Sequence, residues 1–367
     1  MLRRPGFAAA ATLALALGIG ANAAIFAAVD AVLLRPMPFP HADRLYVPVS
    51  VNKARGIEGA SVSFGDVEDW RAATDVFSAV ALWRPIQRDL VATGDPQRVK
   101  VAEIGPDFFR VIEVTPVTGR LFQPGDHEAN ALPVAILTYG LWQGAFGGAQ
   151  DVVGQTVRIA DVPTEIIGVL PPRIAWPNDT QLYLSMRPAI FDREDLTRRD
   201  NLIFQAIARL RDEVPVERAK ARLASMAARL EHDEPVIRKG WTNTLITLRD
   251  AIVDDDLRIA LFMLLGAVGA VLLIACANVA NLALVRGSGR VRELAVRLSL
   301  GASRHRLVQQ LVVESLIVTT AGAIAGSVLA VPIMRGLVAM APNGTPFLDD
   351  VRLNPRMLAA AAAAGAV

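Results

Sequence analysis

The sequence predicts a membrane protein in which α-helical transmembrane spans carry one large extracytoplasmic α+β domain. Three observations lead there. The 367-residue chain is 53% hydrophobic and only 20% charged, more apolar than a soluble domain of average make-up. It holds three apolar runs, each longer than the roughly 20 residues a helix needs to cross about 30 Å of hydrocarbon. Between the first two runs lies a long mixed block with both strand and helix periodicity. The net charge of +2 is too small to suggest nucleic acid or acidic substrates. Cys276, the one cysteine, sits inside an apolar run, so no intrachain disulfide can form.

The first run, Phe7 to Leu34, is broken only by Thr12, Asn22 and Asp30. Arg3, Arg4 and the triplet Ala21-Asn22-Ala23 mimic a cleaved signal peptide. The apolar pattern, however, continues through Ile25, Phe26, Val29, Val32 and Leu34. Residues 1–35 are therefore expected to be a retained helix, about 42 Å long over some 28 residues. Gly18-Ile19-Gly20-Ala21-Asn22-Ala23 matches a dinucleotide fingerprint, which requires a strand-turn-helix unit. Here it lies mid-span, so its small residues point to close helix packing, as do Gly322 and Gly326 in a GxxxG pair.

Residues 36–256 form the expected α+β domain, as one body or as two subdomains, since strands and helices do not alternate regularly. Ser63 is placed to cap a short helix through Trp70 and Ala72, with Asp66 and Glu68 in its first turn. Segments 78–83, 98–103, 133–138, 201–210 and 242–248 read as strands by their β-branched content. Thr156–Ile159 and Thr164–Val169 flank a hairpin turn at residues 160–163. Pro215 opens a helix to about His232, whose stripe is Val216, Ala219, Leu223, Met226 and Leu230.

The second span is expected at 257–285, with Asn278 and Asn281 as intramembrane polar residues. The third is expected within 307–340, with Glu314 near its start. Residues 341–356 form a short external loop, and 357–367 begin a fourth, truncated helix. Arginine bias sets the orientation. Arg286, Arg290, Arg292, Arg297, Arg304 and Arg306 crowd segment 286–306 against one acid, Glu293. That segment, like Arg3 and Arg4, is assigned to the cytoplasm, so the N-terminus is inside and 36–256 is outside.

Chemistry is sparse. His41, His127, His232 and His305 are scattered, with no HExxH spacing and no metal-ligand pair. No GxSxG elbow occurs. None of Lys53, Lys100, Lys220 or Lys239 follows a glycine, so there is no P-loop. The expectation is a chain with no catalytic residues, no cofactor and no enzyme activity of its own.

Segment 290–315 is the informative one. Val291, Leu294, Ala295 and Leu298 make an apolar stripe, and Glu293 precedes Arg297 by four, the favourable order for a helical ion pair. Gly301 suits a helix end and Ser303 the cap of the next helix. An acid at Glu314 is costly inside a membrane and calls for a partner such as Arg286 or Arg304. By pattern alone this is either an amphipathic helix on anionic lipid or a docking element for a cytoplasmic protein.

The stretch ACANVANLALVRGSGRVRELAVRLSLGASRHRLVQQLVVESL resembles the MacB/FtsX-like permease family of ABC systems. So do TLALALGIGANAAIFAAVDAVLLRPMPFP, VAEIGPDFFRVIEVTPVTGRLF, PVAILTYGLWQGAFGG and DVVGQTVRIADVPTEIIGVLPP. The likeness is closest to one half of the long duplicated permeases. It implies a multi-pass protein of the bacterial cytoplasmic (inner) membrane, working in the lipid bilayer without nucleic acid. Its partners would be a cytoplasmic ABC ATPase subunit and a second permease half, from the same or a different chain. Arg290, Arg292, Glu293 and Arg297 would then dock the ATPase, Gly301 and Ala302 shape a turn, and Arg304 tether it. ATP hydrolysis by that partner would be passed mechanically to the outside domain. A membrane-anchored sensor and a non-functional truncated half remain the alternatives.

Overall fold

The structure is a computed structural model and describes residues 5–340, apart from 93, 94, 173, 175, 178, 188–190, 192, 254, 289–295, 297, 298 and 300–302. It divides into two compact units, Pro36–Ile252 and a helical unit built from the flanking segments.

Pro36–Ile252 is organised on one mixed, 11-stranded sheet. Its strands are β1 (Leu45–Asn52), β2 (Ile57–Ala60), β3 (Phe77–Val91), β4 (Gln97–Ile104), β5 (Thr118–Gly119), β6 (Val134–Leu137), β7 (Thr156–Ile159), β8 (Val162–Val169), β9 (Leu182–Ser185), β10 (Gln205–Leu210) and β11 (Thr242–Thr247). They run in the order β11-β1-β10-β3-β4-β9-β6-β8-β5, with β2 on β1 and β7 joining β3 to β8. Among the described residues, only the β4–β9 and β6–β8 pairs are parallel. The helices of this domain are α2 (Phe64–Ala72), α3 (Phe108–Ile112), α4 (Tyr139–Phe146), α5 (Arg193–Thr197), α6 (Val216–Asp233) and α7 (Leu248–Ile252).

One continuous sheet runs through the domain, and the 15-residue β3 is the reason. Its first half pairs with β10, its last residues reach β7, and β4 follows most of its length. From Ala79 to Trp83 it is buried on both faces. Ala79, Ala81 and Trp83 join Phe108, Ile136 and Tyr183 in one core layer, while Val80 and Leu82 join Trp70, Phe204 and Leu223 in another. Leu90 belongs to a third layer with Val101, Leu137, Val157 and Ile166.

The expected hairpin is tighter than residues 160–163. Val162 and Pro163 already belong to β8, and the turn is Ala160-Asp161, both with positive φ (48° and 66°). Two such residues in succession give a turn whose twist matches the strands. The strand expected over 201–210 is regular only from Gln205. Pro215 stands one place before α6, at its N-cap. Ala219, Leu223 and Ala227 form the buried face of that helix.

In the helical unit, α1 (Pro5–Val29) is followed by one π-helical turn, Asp30–Leu34, where Arg35 pairs with Asp30 at 3.2 Å. The other long helices are α8 (Asp255–Ser288) and α9 (Arg304–Met340). Among the described residues, three segments are long and apolar enough to cross a membrane: Ala9–Leu34, Asp255–Asn281 and Leu316–Met340. At 1.5 Å per residue α9 is about 55 Å long, well beyond the hydrocarbon thickness. Together with the family reported below, these helices make the chain a membrane protein.

Helix α1 packs against both α8 and α9. The Gly18–Ala23 motif lies wholly within it and works as packing surface. A Cβ at Gly20 would stand 2.9 Å from the Gly326 carbonyl, and one at Gly18 2.9 Å from Leu272. Asn22 Nδ2 donates to the Val268 carbonyl at 2.8 Å, joining α1 to α8 through a part-buried polar bond of the kind that holds membrane helices together. Leu273, Ile274, Leu316, Ile317 and Val328 are exposed, an apolar surface suited to lipid.

Candidate functional site

The arginine-rich segment is bracketed by the end of α8 at Ser288 and the start of α9 at Arg304. Ser303 caps α9: its carbonyl accepts from Arg306 N–H at 3.1 Å and its Oγ accepts at 3.4 Å. Serine is apt there because its oxygen serves a first-turn N–H that has no helical partner. Arg290, Arg292, Glu293, Arg297, Gly301 and Ala302 lie outside the described residues. Within the segment Val296 and Ser299 are helical and exposed. Arg304 opens α9 and Glu314 lies two to three turns along it, but both side chains, with that of Arg286, lie outside the described set, as do 341–367. Asn278 and Asn281 are exposed on α8, away from the α1 contact that Leu272 and Ala275 bury. His305 and Arg306, which the sequence reading gave no role, are exposed on the first turn of α9 and extend its basic surface.

In the sheet domain, polar side chains are gathered at three places. The first is a buried ion network. Asp66, fully buried, completes the α2 capping box by accepting from Ser63 N–H while Ser63 Oγ accepts from Asp66 N–H. Its other oxygen meets Arg238, also buried, and Arg199 at 3.4 Å. Arg199 reaches Asp69 as well, at 2.7 Å. Thus α2 is tied to the segments before β10 and before β11.

The second is Arg209 on β10, whose side chain is 9% exposed. It donates to the carbonyls of Val111 (2.8 Å), Pro40 (3.1 Å) and His41 (3.4 Å), and lies 3.5 Å from Glu113. The segment leading into β1 is thereby fastened to the sheet. Burial lowers the Arg209 pKa, against the opposing charges of Glu113, Asp212 and Asp43.

The third is a pair of clefts. One, of about 310 Å³, is lined by Arg84, Arg88, Glu103 and Arg187 with Val134 and Leu184. Glu103 accepts from Arg84 Nε at 3.0 Å, and Arg84 also stands over the Phe191 ring at 4.5 Å. The other, of about 220 Å³, is more apolar and is lined by Phe64, Leu82, Met186, Phe191 and Leu196 with Arg71 and His127. His127 is buried, with Nδ1 3.1 Å from the Met186 carbonyl. Since a carbonyl only accepts, that nitrogen carries the proton.

Burial lowers the His127 pKa, outweighing the Met186 hydrogen bond and the charges of Asp126 and Asp107. The unfolded chain therefore binds a proton that the folded chain resists. The stabilising contribution is complete above the ordinary histidine value of about 6.5 and is lost as pH falls towards the lower folded value. We expect the thermal midpoint of the full chain to fall between pH 7.5 and 5.0, and to fall less in His127→Phe. Equal slopes for both proteins would contradict this origin.

Comparison with known proteins gives two family matches. Residues 8–226 match the MacB-like periplasmic core domain, and residues 265–362 the FtsX-like permease C-terminal family. Among curated relatives, the pyoverdine export ATP-binding/permease protein PvdT of Pseudomonas syringae pv. syringae is 29% identical, over 58% of this chain and 32% of its own length. The macrolide export ATP-binding/permease protein MacB of Rhodospirillum rubrum is 28% identical, over 65% and 34% respectively. The chain thus spans about a third of the length of these relatives. The periplasmic region of MacB from Actinobacillus actinomycetemcomitans superposes with a TM-score of 0.44 at 17% identity, covering 57% of this chain and 91% of that one. With the first match running through α1 and most of the sheet domain, and the second through the two later spans and the arginine-rich segment between them, the chain belongs to the MacB/FtsX-like permease family.

Proposed function

We propose that this chain is a permease half of an ABC-type export or mechanotransmission system. The ATPase is a separate cytoplasmic subunit, and a second permease half, identical or different, completes the assembly. The single observation that carries this reading is the position of the arginine-rich segment. It lies between two helices of 34 and 37 residues, inside the stretch that matches the FtsX-like family. In this reading the segment is cytoplasmic, the sheet domain is on the outer side of the bacterial inner membrane, and the chain has no catalytic step of its own. Arg290, Arg292, Glu293 and Arg297 dock the ATPase, Gly301 and Ala302 form the turn, and Arg304 anchors it at the head of α9.

Relatives named as ATP-binding/permease proteins support an ATPase partner. Motion in the segment is passed along α8 and α9, and α1, packed on both, moves with them. The test is a pull-down from native membranes of wild type beside an Arg297→Glu, Glu293→Arg double variant. A P-loop ATPase recovered with wild type and reduced at least tenfold with the variant is the expected result. An ATPase retained by both moves the contact elsewhere, and none with either removes the transporter reading.

A further inference from the structure

Three arginines and a single acid meet in the larger cleft of the sheet domain. Arg84 and Arg88 are four residues apart on β3, so they belong to one face of the sheet. Glu103 on β4 stands opposite Arg84, and Leu184 on β9 stands opposite Glu103. Arg187 follows β9 by two residues and lines the same cleft.

The carboxylate does not balance the arginines. Glu103, with a side chain 5% exposed, is committed to Arg84, accepting from its Nε at 3.0 Å and from its Nη2. Arg84 is held from its other side by the Phe191 ring. Arg88 approaches the second Glu103 oxygen only to 3.9 Å, beyond hydrogen-bonding distance. Among the described residues, Arg88 donates through Nη1 to the Gln87 carbonyl at 3.2 Å, and Arg187 through Nη1 to the Ala131 carbonyl at 2.7 Å. A carbonyl takes up an N–H but neutralises no charge. With three guanidinium groups against one carboxylate, the lining keeps an excess of two positive charges. Solvent reaches them, since the Arg88 side chain is 39% exposed and Arg187 is half-buried. A cleft lined by one sign of charge focuses its field and draws in the opposite charge.

The walls define the rest of the occupant. Val134, Ile159, Val162 and Leu184 are apolar, and Ser185 adds a hydroxyl. The volume of about 310 Å³ falls at the lower end of the roughly 300–1,000 Å³ of small-molecule sites. Cationic donors set among apolar walls match an anionic group on an apolar body. We propose that this cleft is a binding site for a small organic anion, a carboxylate carried on an apolar ring or chain. The carboxylate pairs with the Arg88 guanidinium, Arg187 supplies the second positive charge, and the apolar body lies against Val134 and Leu184. This inference stands whether or not the segment between α8 and α9 docks an ATPase.

The test is equilibrium dialysis of naphthalene-2-carboxylate and of its neutral isostere naphthalene-2-carboxamide against the full chain in phosphatidylcholine nanodiscs. Empty nanodiscs subtract lipid partitioning. A charge-assisted bond made only by the acid predicts that wild type binds it about tenfold more tightly than the amide. That preference shrinks as salt rises from about 0.05 to about 0.5 M. Arg88→Gln lowers it to about one, and Arg187→Gln lowers it roughly threefold. Arg98→Gln, which removes an exposed arginine of β4 outside the cleft, leaves it unchanged. Wild type showing no saturable binding beyond empty nanodiscs, or equal affinity for acid and amide, overturns the proposal and leaves a solvated basic groove. A preference that survives in Arg88→Gln, or that Arg98→Gln removes as well, overturns it too. Should Arg88→Gln fail to fold, Arg187→Gln and the wild-type comparison still decide.

Discussion

Asp66→Ala is expected to be the most destabilising single change in the sheet domain. The carboxylate is fully buried and serves two functions at once, capping α2 and neutralising Arg238 and Arg199. Without it, Arg238, whose side chain is 4% exposed, keeps, among the described residues, the Arg199 carbonyl as its hydrogen-bond partner. Breaking a buried pair from one side typically costs about 3–5 kcal/mol, because the remaining charge stays buried and unmatched. Amide hydrogen exchange over α2 in the full chain reads this directly. Protection there should fall by roughly two to three orders of magnitude. Asp69→Ala is the control. Its 2.7 Å pair with Arg199 is at a side chain 37% exposed, so its loss should cost no more than about 1 kcal/mol. Similar effects for the two variants would mean that Asp66 is not the centre of the network.

Gly326→Leu should have the largest effect in the helical unit. A Cβ there would meet the Ala16 carbonyl and Ile19 Cβ, both at 3.0 Å. These are backbone and branch-point atoms of α1 that cannot swing aside. Four residues earlier, a Cβ at Gly322 would stand 2.8 Å from Leu15 Cβ, so α1 and α9 touch along a seam of small residues and cannot separate at one point only. Overpacking of this kind costs about 1–3 kcal/mol or more. The melting midpoint of the full chain in detergent, followed by size-exclusion of the heated sample, should drop by roughly 3–10 °C. Gly336→Leu provides the comparison in the same helix, since a Cβ there meets nothing within 4 Å. Helix propensity favours leucine over glycine at both positions, so a loss confined to Gly326→Leu reports the seam, and equal losses would contradict it.

Features read correctly from the sequence are those written in short-range signals. Ser63 as the cap of a short helix with Asp66 in its first turn was legible, and the structure adds the reciprocal bond that makes the pair a capping box. The stripe through Ala219 and Leu223 faces the core. The β7–β8 hairpin lies within 14 residues, and its register follows from its turn. β1 and the second half of β3 went unread, and a proline lies within each. β1 alternates Leu45, Val47, Val49 and Val51, all in one core layer, with Tyr46, Pro48, Ser50 and Asn52, but Pro48 within it argues against a strand. β3 runs on past Pro85 with alternating exposure, but a proline normally marks a boundary. The sheet order, with β9 inserted between β4 and β6, depends on pairings between residues some 80 apart in sequence that local pattern does not encode.

The same limit applies to the sites. Asp66 was legible as a first-turn acid, yet its partners Arg199 and Arg238 are more than 130 residues away. His127 was one of four scattered histidines. That it shares a cavity with Arg71 follows only from the folded packing of α2 on β3. Small residues at Gly20, Gly322 and Gly326 could be recognised as packing residues, but which helix each meets could not.

The pairing of β1 with β11 has a mechanical corollary. The chain leaves α1 and enters the domain at β1, and it leaves by β11 and α7 for α8. These two strands are antiparallel neighbours over six residue pairs, and Tyr46 stands opposite Thr247 at the end nearest both connections. A tug that separates α1 from α8 would therefore peel this pair like a zipper, loading one rung at a time, with the Arg209 contacts to Pro40 and His41 as the first fastening to give way. A load shared equally by the two chain ends would put no force across this pair.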